Sequence, residues 1–216
     1  MRQVWTLLRK EWLIEWRSMH TLVATLLYIA STVFAIYMMT GQPDALVWNA
    51  LFWIAQLFII VNAAAKNFQQ ESRARFRYYY SLVAPWQFIL SKILYQLIYM
   101  LAISLLTIIL FIVLLGNVLA SAVLFYTIAF LGTATLSVLF TFLSAIAGQT
   151  QQGAAMATIL GFPIAIPIIL VVSKLSVAAV SQVFLQGQFS LIATILALFV
   201  LMIVLSLILY PFLWHE

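Results

Sequence analysis

The sequence predicts an all-α membrane protein that crosses the bilayer six times. Two observations support this prediction: the apolar composition of the chain and its six long windows without charged residues. Of 216 residues, 66% are hydrophobic and only 7% are charged, and the mean hydropathy is +1.16. A water-soluble domain of this composition would have too little polar surface to cover itself, whereas a bilayer accepts the excess of apolar side chains. Six windows free of Asp, Glu, Lys, Arg and His approach or exceed the roughly 20 residues that a transmembrane helix needs.

The six windows cover approximately residues 21–40, 47–65, 93–115, 122–147, 154–173 and 190–210. The first is too long for the apolar part of a signal peptide and is followed by five more, so we expect it to be retained. Nine of the ten basic residues precede the first window or lie between the second and third. The positive-inside rule therefore predicts that these segments and both termini are cytoplasmic.

The connections between the windows differ in length and character. Residues 41–46 and 116–121 are predicted to be short outer turns, and residues 148–153 a tight inner turn. The segment 174–189 is the longest outer connection, and its apolar side chains favour a short interfacial or re-entrant helix over a solvated loop. Residues 1–216 are thus predicted to form a single transmembrane domain.

Residues 2–19 predict an interfacial helix ahead of the first span. Apolar side chains recur there at steps of three and four and form one stripe, with basic residues gathered on the other side. The stripe consists of Trp5, Leu8, Trp12, Trp16 and Met19. We expect this elbow helix to lie in the inner headgroup plane with its tryptophans towards the lipid.

Glu11 and Glu15 are anomalous in this helix, because they are like charges at i and i+4 with no basic residue three or four positions further on. Two interpretations stay open. Both glutamates are simply solvated, since surface ion pairs contribute only about 0–1 kcal/mol. Alternatively they brace the arginine cluster at residues 73–77, which is predicted to lie at the same membrane surface.

The fourth and fifth windows carry small residues at helical spacing, which let helix backbones approach closely in lipid. The two stripes are Ser137, Thr141, Ser144 and Gly148, and Ala154, Thr158, Gly161 and Ala165. Pro163 and Pro167 each remove a backbone donor from the fifth window and are predicted to kink it. Packing alone and a hinge for alternating access are both open explanations of these prolines.

Several kinds of chemistry have no residues to support them. The sequence lacks G-x-x-x-x-G-K-[ST], so the chain is not itself an ATPase. It has no cysteine, and its predicted spans contain no ionisable side chain of the kind that ion-coupled carriers and intramembrane proteases use. We therefore expect no catalytic residue, no metal site and no directly bound cofactor, and we expect any energy to come from a partner protein. Nucleic acid is not expected as a partner, because the basic residues flank spans.

The predicted inner loop at 67–91 concentrates charge and aromatic rings. Its candidate partner-binding residues are Glu71, Arg73, Arg75, Arg77, Tyr78, Tyr79 and Tyr80. Arginine and tyrosine contribute strongly to protein interfaces, so we expect residues 71–84 to form a short coupling helix that docks on another protein and stops at Pro85. The alternative is a topogenic loop with tyrosines at the headgroups, which explains Lys66 and Lys92 best.

Three segments resemble haem exporter protein B (CcmB), a permease family of the bacterial cytochrome c maturation system. They are LLRKEWLIEWRS (7–18), FQQESRARFRYYYSLVAPWQFILSKILYQLIYM (68–100) and GTATLSVLFTFLSAIAGQTQQGAAMATILGFPIAIPIILVVSKLS (132–176). The acidic, arginine and tyrosine run followed by A-P and S-K is the most specific of these. Together the segments cover most of the chain in order.

The resemblance implies a homodimeric ABC-2-type permease in the bacterial inner membrane that pairs with a separate ATP-binding subunit. It also implies a haem-handling membrane protein and a small single-span subunit as partners, with ATP reaching the complex through the ATPase and haem as possible cargo. The function is then haem export or ATP-driven release of a haem-loaded chaperone. Two alternatives remain: an exporter permease for a lipid, polysaccharide or drug, and a membrane scaffold without a transport cycle.

Overall fold

A computed structural model describes residues 2–69, 83–147, 153–181 and 188–213, and these form seven α-helices without a β-strand among them. The helices are α1 (Arg2–Arg17), α2 (Met19–Thr40), α3 (Ala45–Gln69), α4 (Pro85–Leu115), α5 (Ala122–Ala147), α6 (Gly153–Ser181) and α7 (Gln188–Leu213). Within these ranges α2 to α7 are all long and apolar enough to cross a membrane. The predicted all-α fold with six transmembrane helices is confirmed.

Consecutive spanning helices run in opposite directions, so the bundle has two distinct ends. Phe88 near the start of α4 stacks on Tyr210 near the end of α7, and Lys92 pairs with Glu11 of α1. At the other end the backbone N–H groups of Ala120 and Ser121 donate to the carbonyl of Ala179 near the end of α6. We call these the α1 end and the opposite end.

Helix α4 begins at Pro85, eight residues before the predicted window. Proline is favoured in the first helical turn, because its fixed φ suits the helix and its missing N–H would have no intrahelical partner there. The preceding Ala84 has an extended backbone, with φ −68° and ψ 141°. Pro85 therefore starts a helix, and Lys92 lies two turns inside an otherwise apolar span.

Helix α6 continues to Ser181, so residues 174–181 belong to this helix and do not form a separate interfacial element. The reason is packing: Leu175, Ser176 and Ala179 are fully buried against the rest of the bundle. Burial of one face holds the helical conformation beyond Lys174, whose own side chain points outwards and is exposed. The remaining part of the predicted connection, 182–187, lies outside the described residues.

Helix α5 lies at the centre of the bundle, in contact with α3, α4, α6 and α7. Two-thirds of its most apolar 18-residue window is buried within the protein, against 17% for α2 and for α7. The exposed sides of α2 and α7 are apolar, as lipid-facing surfaces are. The polar groups in the middle and second half of α5 are therefore screened from the membrane by the other helices; they are Thr133, Thr135, Ser137, Thr141 and Ser144.

The small residues of α5 and α6 allow their close contact. A Cβ atom added at Gly132 would lie 2.6 Å from Cγ1 of Val172 and 2.7 Å from the Trp53 ring, and one at Gly161 would collide with the Phe140 ring. The predicted stripe residues Ser137, Thr141 and Ser144 are buried, as is Ala165, and Thr158 is half-buried. Gly148 lies outside the described residues.

Pro163 and Pro167 both lie on the exposed side of α6. The helix remains continuous through both positions, so the backbone donors that they lack are missing from the outer face. The inner face carries Gly161, Ala165 and Ile168, which are buried. A hinge at these prolines stays a prediction.

Candidate functional site

The candidate site is the contact between α1 and the first turns of α4. We define this elbow junction by Glu11 and Glu15 of α1 and Lys92, Tyr95 and Tyr99 of α4. The face of α1 that is buried in the protein carries Val4, Leu7, Leu8 and Glu11, at helical spacing. Helix α1 contacts α4 and α2.

The tryptophans of α1 lie on a different side of the helix. Trp5 and Trp16 are 70% and 68% exposed, and Trp12 and Met19 are exposed as well. Leu8 does not share this surface, because it faces the protein with Leu7. The predicted apolar stripe is therefore divided, with the aromatic side chains free to meet lipid and one leucine used to attach α1 to the bundle.

A buried ion pair forms the core of the elbow junction. The Nζ atom of Lys92 donates to Oε2 of Glu11 at 3.1 Å, and Nζ of Lys10 lies 3.0 Å from Oε1 of the same carboxylate. Lys92 is 1% exposed and Glu11 8% exposed. Both oxygens of Glu11 thus have a cationic partner, and one of these partners belongs to a different helix.

The electrostatics of Glu11 are a balance of opposing effects. Burial raises the pKa of its carboxyl, but the charges of Lys92 and Lys10 and their hydrogen bonds outweigh burial and hold the pKa below its ordinary value. Glu11 is therefore ionised at neutral pH. The elbow junction contains a full negative charge that is neutralised from two sides.

Tyrosines extend the elbow junction to a third helix. The hydroxyl of Tyr95 donates to Glu15, and the Tyr95 ring meets Trp12 edge to face with centroids 6.2 Å apart. Tyr95 stacks on Tyr99 at 5.9 Å, and the hydroxyl of Tyr99 lies beside that of Thr25 of α2. Glu15 thus has its own partner on α4, and α1, α2 and α4 are joined by polar contacts.

These contacts bear on the prediction for the two glutamates. Neither is simply solvated: Glu11 binds Lys92 and Lys10, and Glu15 binds Tyr95. Their predicted brace with the arginine cluster stays a prediction, because residues 70–82 lie outside the described residues. Glu71, Arg73, Arg75, Arg77, Tyr78, Tyr79 and Tyr80 all fall in that segment.

Lys92 is a functional residue that the sequence prediction does not identify, because the predicted third span begins after it and leaves it as a flanking charge. A local spacing rule does not identify its partner, because 81 residues separate it from Glu11. One signal was present. If Pro85 is read as the first residue of a helix, Lys92 becomes an ionisable side chain two turns inside a span, and such residues are usually paired and functional.

A second polar cluster lies in the middle of the bundle. Nε2 of Gln56 donates to Oγ1 of Thr133 at 3.1 Å, and Thr133 donates to Oγ of Ser104 at 3.2 Å. All three side chains are fully buried and belong to α3, α5 and α4. These hydrogen bonds join three helices of the bundle.

A third cluster lies at the opposite end and joins α3 to α6. Ser176 accepts from Nε1 of Trp53 at 2.9 Å and donates to Oδ1 of Asn49 at 2.7 Å. Nδ2 of Asn49 donates to the carbonyl of Ser173 at 3.1 Å. Every contact in this cluster is between neutral groups.

In the described residues, six helices long and apolar enough to span a membrane follow the helix α1, and they define a polytopic α-helical membrane protein. The more specific assignment follows from comparison. The family model described as CcmB protein matches residues 2–212, nearly the whole chain, and the protein therefore belongs to the CcmB family. A search among curated proteins found no significant match.

Family membership confirms the resemblance found in the sequence and gives the chain its general role. It is a permease subunit of the haem exporter system of cytochrome c maturation and is not itself catalytic. The family belongs to an ABC transporter context with an ATP-binding partner. The chain is a multi-pass inner-membrane protein.

Proposed function

We propose that this chain couples ATP use by a separate ATP-binding subunit to a conformational change of its own helix bundle. That change drives release of a haem-loaded chaperone for cytochrome c assembly. In this proposal the chain does not ligate haem, because it has no cysteine, His20 is the second residue of α2 at the α1 end, and His215 follows α7 in the sequence. Haem is cargo of the complex, and ATP is bound by the partner.

The observation that carries the proposal is the attachment of α4 to α1 by a buried ion pair. The segment between α3 and α4 leaves from the α1 end and leads directly into Pro85. Seven residues later the helix is fixed to α1 by the pair between Lys92 and Glu11. A displacement of that segment would therefore act on α4 and, through its contacts, on α1 and α2.

The proposed docking element is the segment itself, residues 71–84. Arg73, Arg75 and Arg77 would meet acidic groups of the ATPase, and Tyr78, Tyr79 and Tyr80 would enter a pocket, with Glu71 at the edge of the contact. This assignment requires the α1 end to be cytoplasmic, in agreement with the basic residues there. A homodimer of this chain with two ATPase copies, one haem-handling membrane protein and a small single-span subunit completes the proposed complex.

The test is the double variant Y79A/R75A in the assembled complex. We expect it to insert normally and to uncouple, so that the ATPase subunit dissociates or hydrolyses ATP without supporting cytochrome c maturation. The matched control is Y37A/K174A, which removes one tyrosine and one positive charge near the opposite end. Retention of the ATPase together with full maturation activity in Y79A/R75A would refute the docking assignment.

Deletion of the chain separates the remaining alternatives. A scaffold without a transport cycle would leave ATP turnover independent of this chain. A permease for a lipid, polysaccharide or drug would couple to the ATPase but would leave cytochrome c maturation intact when the chain is deleted. Family membership favours the cytochrome c role over both.

A further inference from the structure

Lys92 occupies a position where three helices meet. Its Nζ atom binds Glu11 of α1 and lies 5.9 Å from the centroid of the Phe88 ring, one turn earlier on α4. Phe88 in turn stacks on Tyr210 of α7 with centroids 6.1 Å apart. A lysine ammonium is strongly hydrated in water, so its complete burial here needs the carboxylate of Glu11.

Such a pair is not explained by stability alone. The cost of removing both charges from water largely cancels their attraction, and well-packed apolar residues often replace a buried pair without loss. A directional ion pair instead favours one register between two helices. The other contacts of α1 at this face are made by Val4, Leu7 and Leu8, whose apolar packing is non-directional and permits sliding.

The ion pair between Lys92 and Glu11 lies close, along the chain, to the end of the proposed coupling segment and to the start of α2. Lys92 lies about 10 Å along the helix axis from Pro85, where the proposed coupling segment ends. On the other side of the pair, a single non-helical residue, Ser18, connects α1 to α2. A few turns deeper, Tyr99 lies beside Thr25, where α4 contacts α2.

We propose that Lys92 is a positioning residue for energy transfer: with Glu11 it forms a latch that stays closed and makes α1 and the start of α4 move as one unit. The latch transmits displacement of the coupling segment to α1 and, through Ser18, to α2. It rests on the proposed function, and it adds the residue that passes the motion on. The ATPase contacts the coupling segment and does not contact Lys92.

The first experiment uses the complete complex with its ATPase subunit and the variant Lys92→Met. Glu11 keeps Lys10 as its partner in this variant, so we expect assembly and ATP turnover to persist. The amount of holocytochrome c formed per ATP hydrolysed should fall about fivefold or more, the lower end of typical coupling strengths. Lys174→Met is the matched control, because it makes the same change in another apolar helix at the opposite end, and its coupling ratio should equal that of the wild type.

The charge-reversed pair E11K/K92E distinguishes a positioning role from general packing. It restores an ion pair across the same two helices, so the coupling ratio should return to within about threefold of the wild type, as expected for coupled sites in a double-mutant cycle. Failure of the reversed pair to recover, when Lys92→Met has lost coupling, would overturn the latch. A wild-type ratio in Lys92→Met would overturn it as well.

A cross-link tests the latch even if Lys92→Met fails to assemble. The chain has no cysteine, so E11C/K92C carries the two engineered thiols alone, and a short bifunctional thiol reagent can join them. A latch that stays closed through the cycle predicts that the cross-linked complex recovers a coupling ratio that the unlinked double variant lacks. No recovery after complete cross-linking would contradict the proposal.

The coupling-segment variant Y79A/R75A identifies which proposal fails. If it uncouples while Lys92→Met does not, the latch alone is wrong. If it retains full coupling, the docking assignment is wrong, and the latch that rests on it is overturned too. Loss of coupling in both variants, with recovery in E11K/K92E, supports both.

Discussion

At the α1 end the helices are joined by charged side chains, whereas at the opposite end they are joined by neutral amides, hydroxyls and aromatic rings. Lys92, Glu11 and Lys10 carry full charges at the elbow junction. At the opposite end Trp48, Phe52, Phe111 and Phe125 pack ring on ring, with centroids between 5.2 and 5.8 Å apart. The two ends therefore respond to different disturbances.

The charged α1 end and the neutral opposite end have different roles in the proposed cycle. Neutral hydrogen bonds and aromatic packing do not depend on pH near neutrality or on the charge of a partner, so the opposite end provides a fixed frame. The elbow junction depends on ionised groups, whose energies change steeply with a neighbouring charge in a medium of low dielectric constant. An end that receives a signal from a partner benefits from such sensitivity.

The largest expected effect comes from Glu11→Gln, because it leaves the buried Lys92 without its carboxylate partner. Removing one member of a buried pair typically costs about 3–5 kcal/mol, and we expect a loss of free energy of unfolding in that range. Lys92→Met should cost clearly less, since Glu11 keeps Lys10. Unfolding of both variants in mild detergent, followed by tryptophan fluorescence, measures the difference, and an equal or reversed order would contradict this description of the elbow junction.

A smaller effect is expected at the opposite end for Ser176→Ala. The change removes the acceptor of the Trp53 N–H and the donor to Asn49. An unsatisfied buried group costs about 1–3 kcal/mol, so the free energy of unfolding should fall by that amount. Ser31→Ala is the control, because its hydroxyl is exposed and bonds only within α2. Similar unfolding curves for the two variants would show that the Ser176 cluster contributes nothing.

The acid response should separate the two ends without any mutation. Burial raises the pKa of Glu11, but Lys92 and Lys10 together lower it by more than burial raises it. The net pKa is therefore below the ordinary value of about 4.3. A carboxyl with a lowered folded pKa contributes stability that is complete above its unfolded pKa and is lost as the pH falls through the folded one. Attachment of α1 should thus weaken only in that acid range, while the opposite end is unaffected.

Tryptophan fluorescence can follow this acid response in variants that keep either Trp12 or Trp48 as the emitting residue. Trp12 reports on the elbow junction through its contact with Tyr95, and Trp48 reports on the opposite end. In the variant Glu11→Gln the acid transition of Trp12 should disappear. Persistence of that transition would assign it to another group near the junction, such as Glu15.

The sequence predicted the six spans well because each is a long uncharged window, and a bilayer selects for that property directly. It misplaced two helix ends by eight residues each, the start of α4 and the end of α6, because these windows stop at lysines. Lys92 is tolerated because Glu11 neutralises it from a distant part of the chain. Lys174 is tolerated because it is exposed about 10 Å from the end of α6, where a long side chain can extend to the headgroups.

The elbow junction was only half predictable. Its amphipathic helix and its tryptophans follow from spacing, and the two glutamates stand out as like charges at i and i+4, for which solvation and a brace are both open interpretations. The partners themselves, Lys92 and Tyr95, depend on how α1 lies across α4, and no local pattern specifies that crossing. The candidate docking residues from Glu71 to Tyr80 are a prediction from residue type alone.

The smallest effect on stability is expected at the boundary between the fixed frame and the rest of α6, for the double variant P163A/P167A. Both prolines lie on the exposed face, so alanine fills no crowded space and restores two backbone donors. Alanine also favours helix, and the free energy of unfolding should stay the same or rise slightly.

Beyond the prolines, the second half of α6 is fixed to α3 and to Ala120 and Ser121. If the first half swings against that anchored half during the cycle, the double variant will be stable and assembled but will mature less cytochrome c for each ATP hydrolysed. Full maturation in this variant would reduce the prolines to packing residues and would extend the fixed frame along the whole of α6.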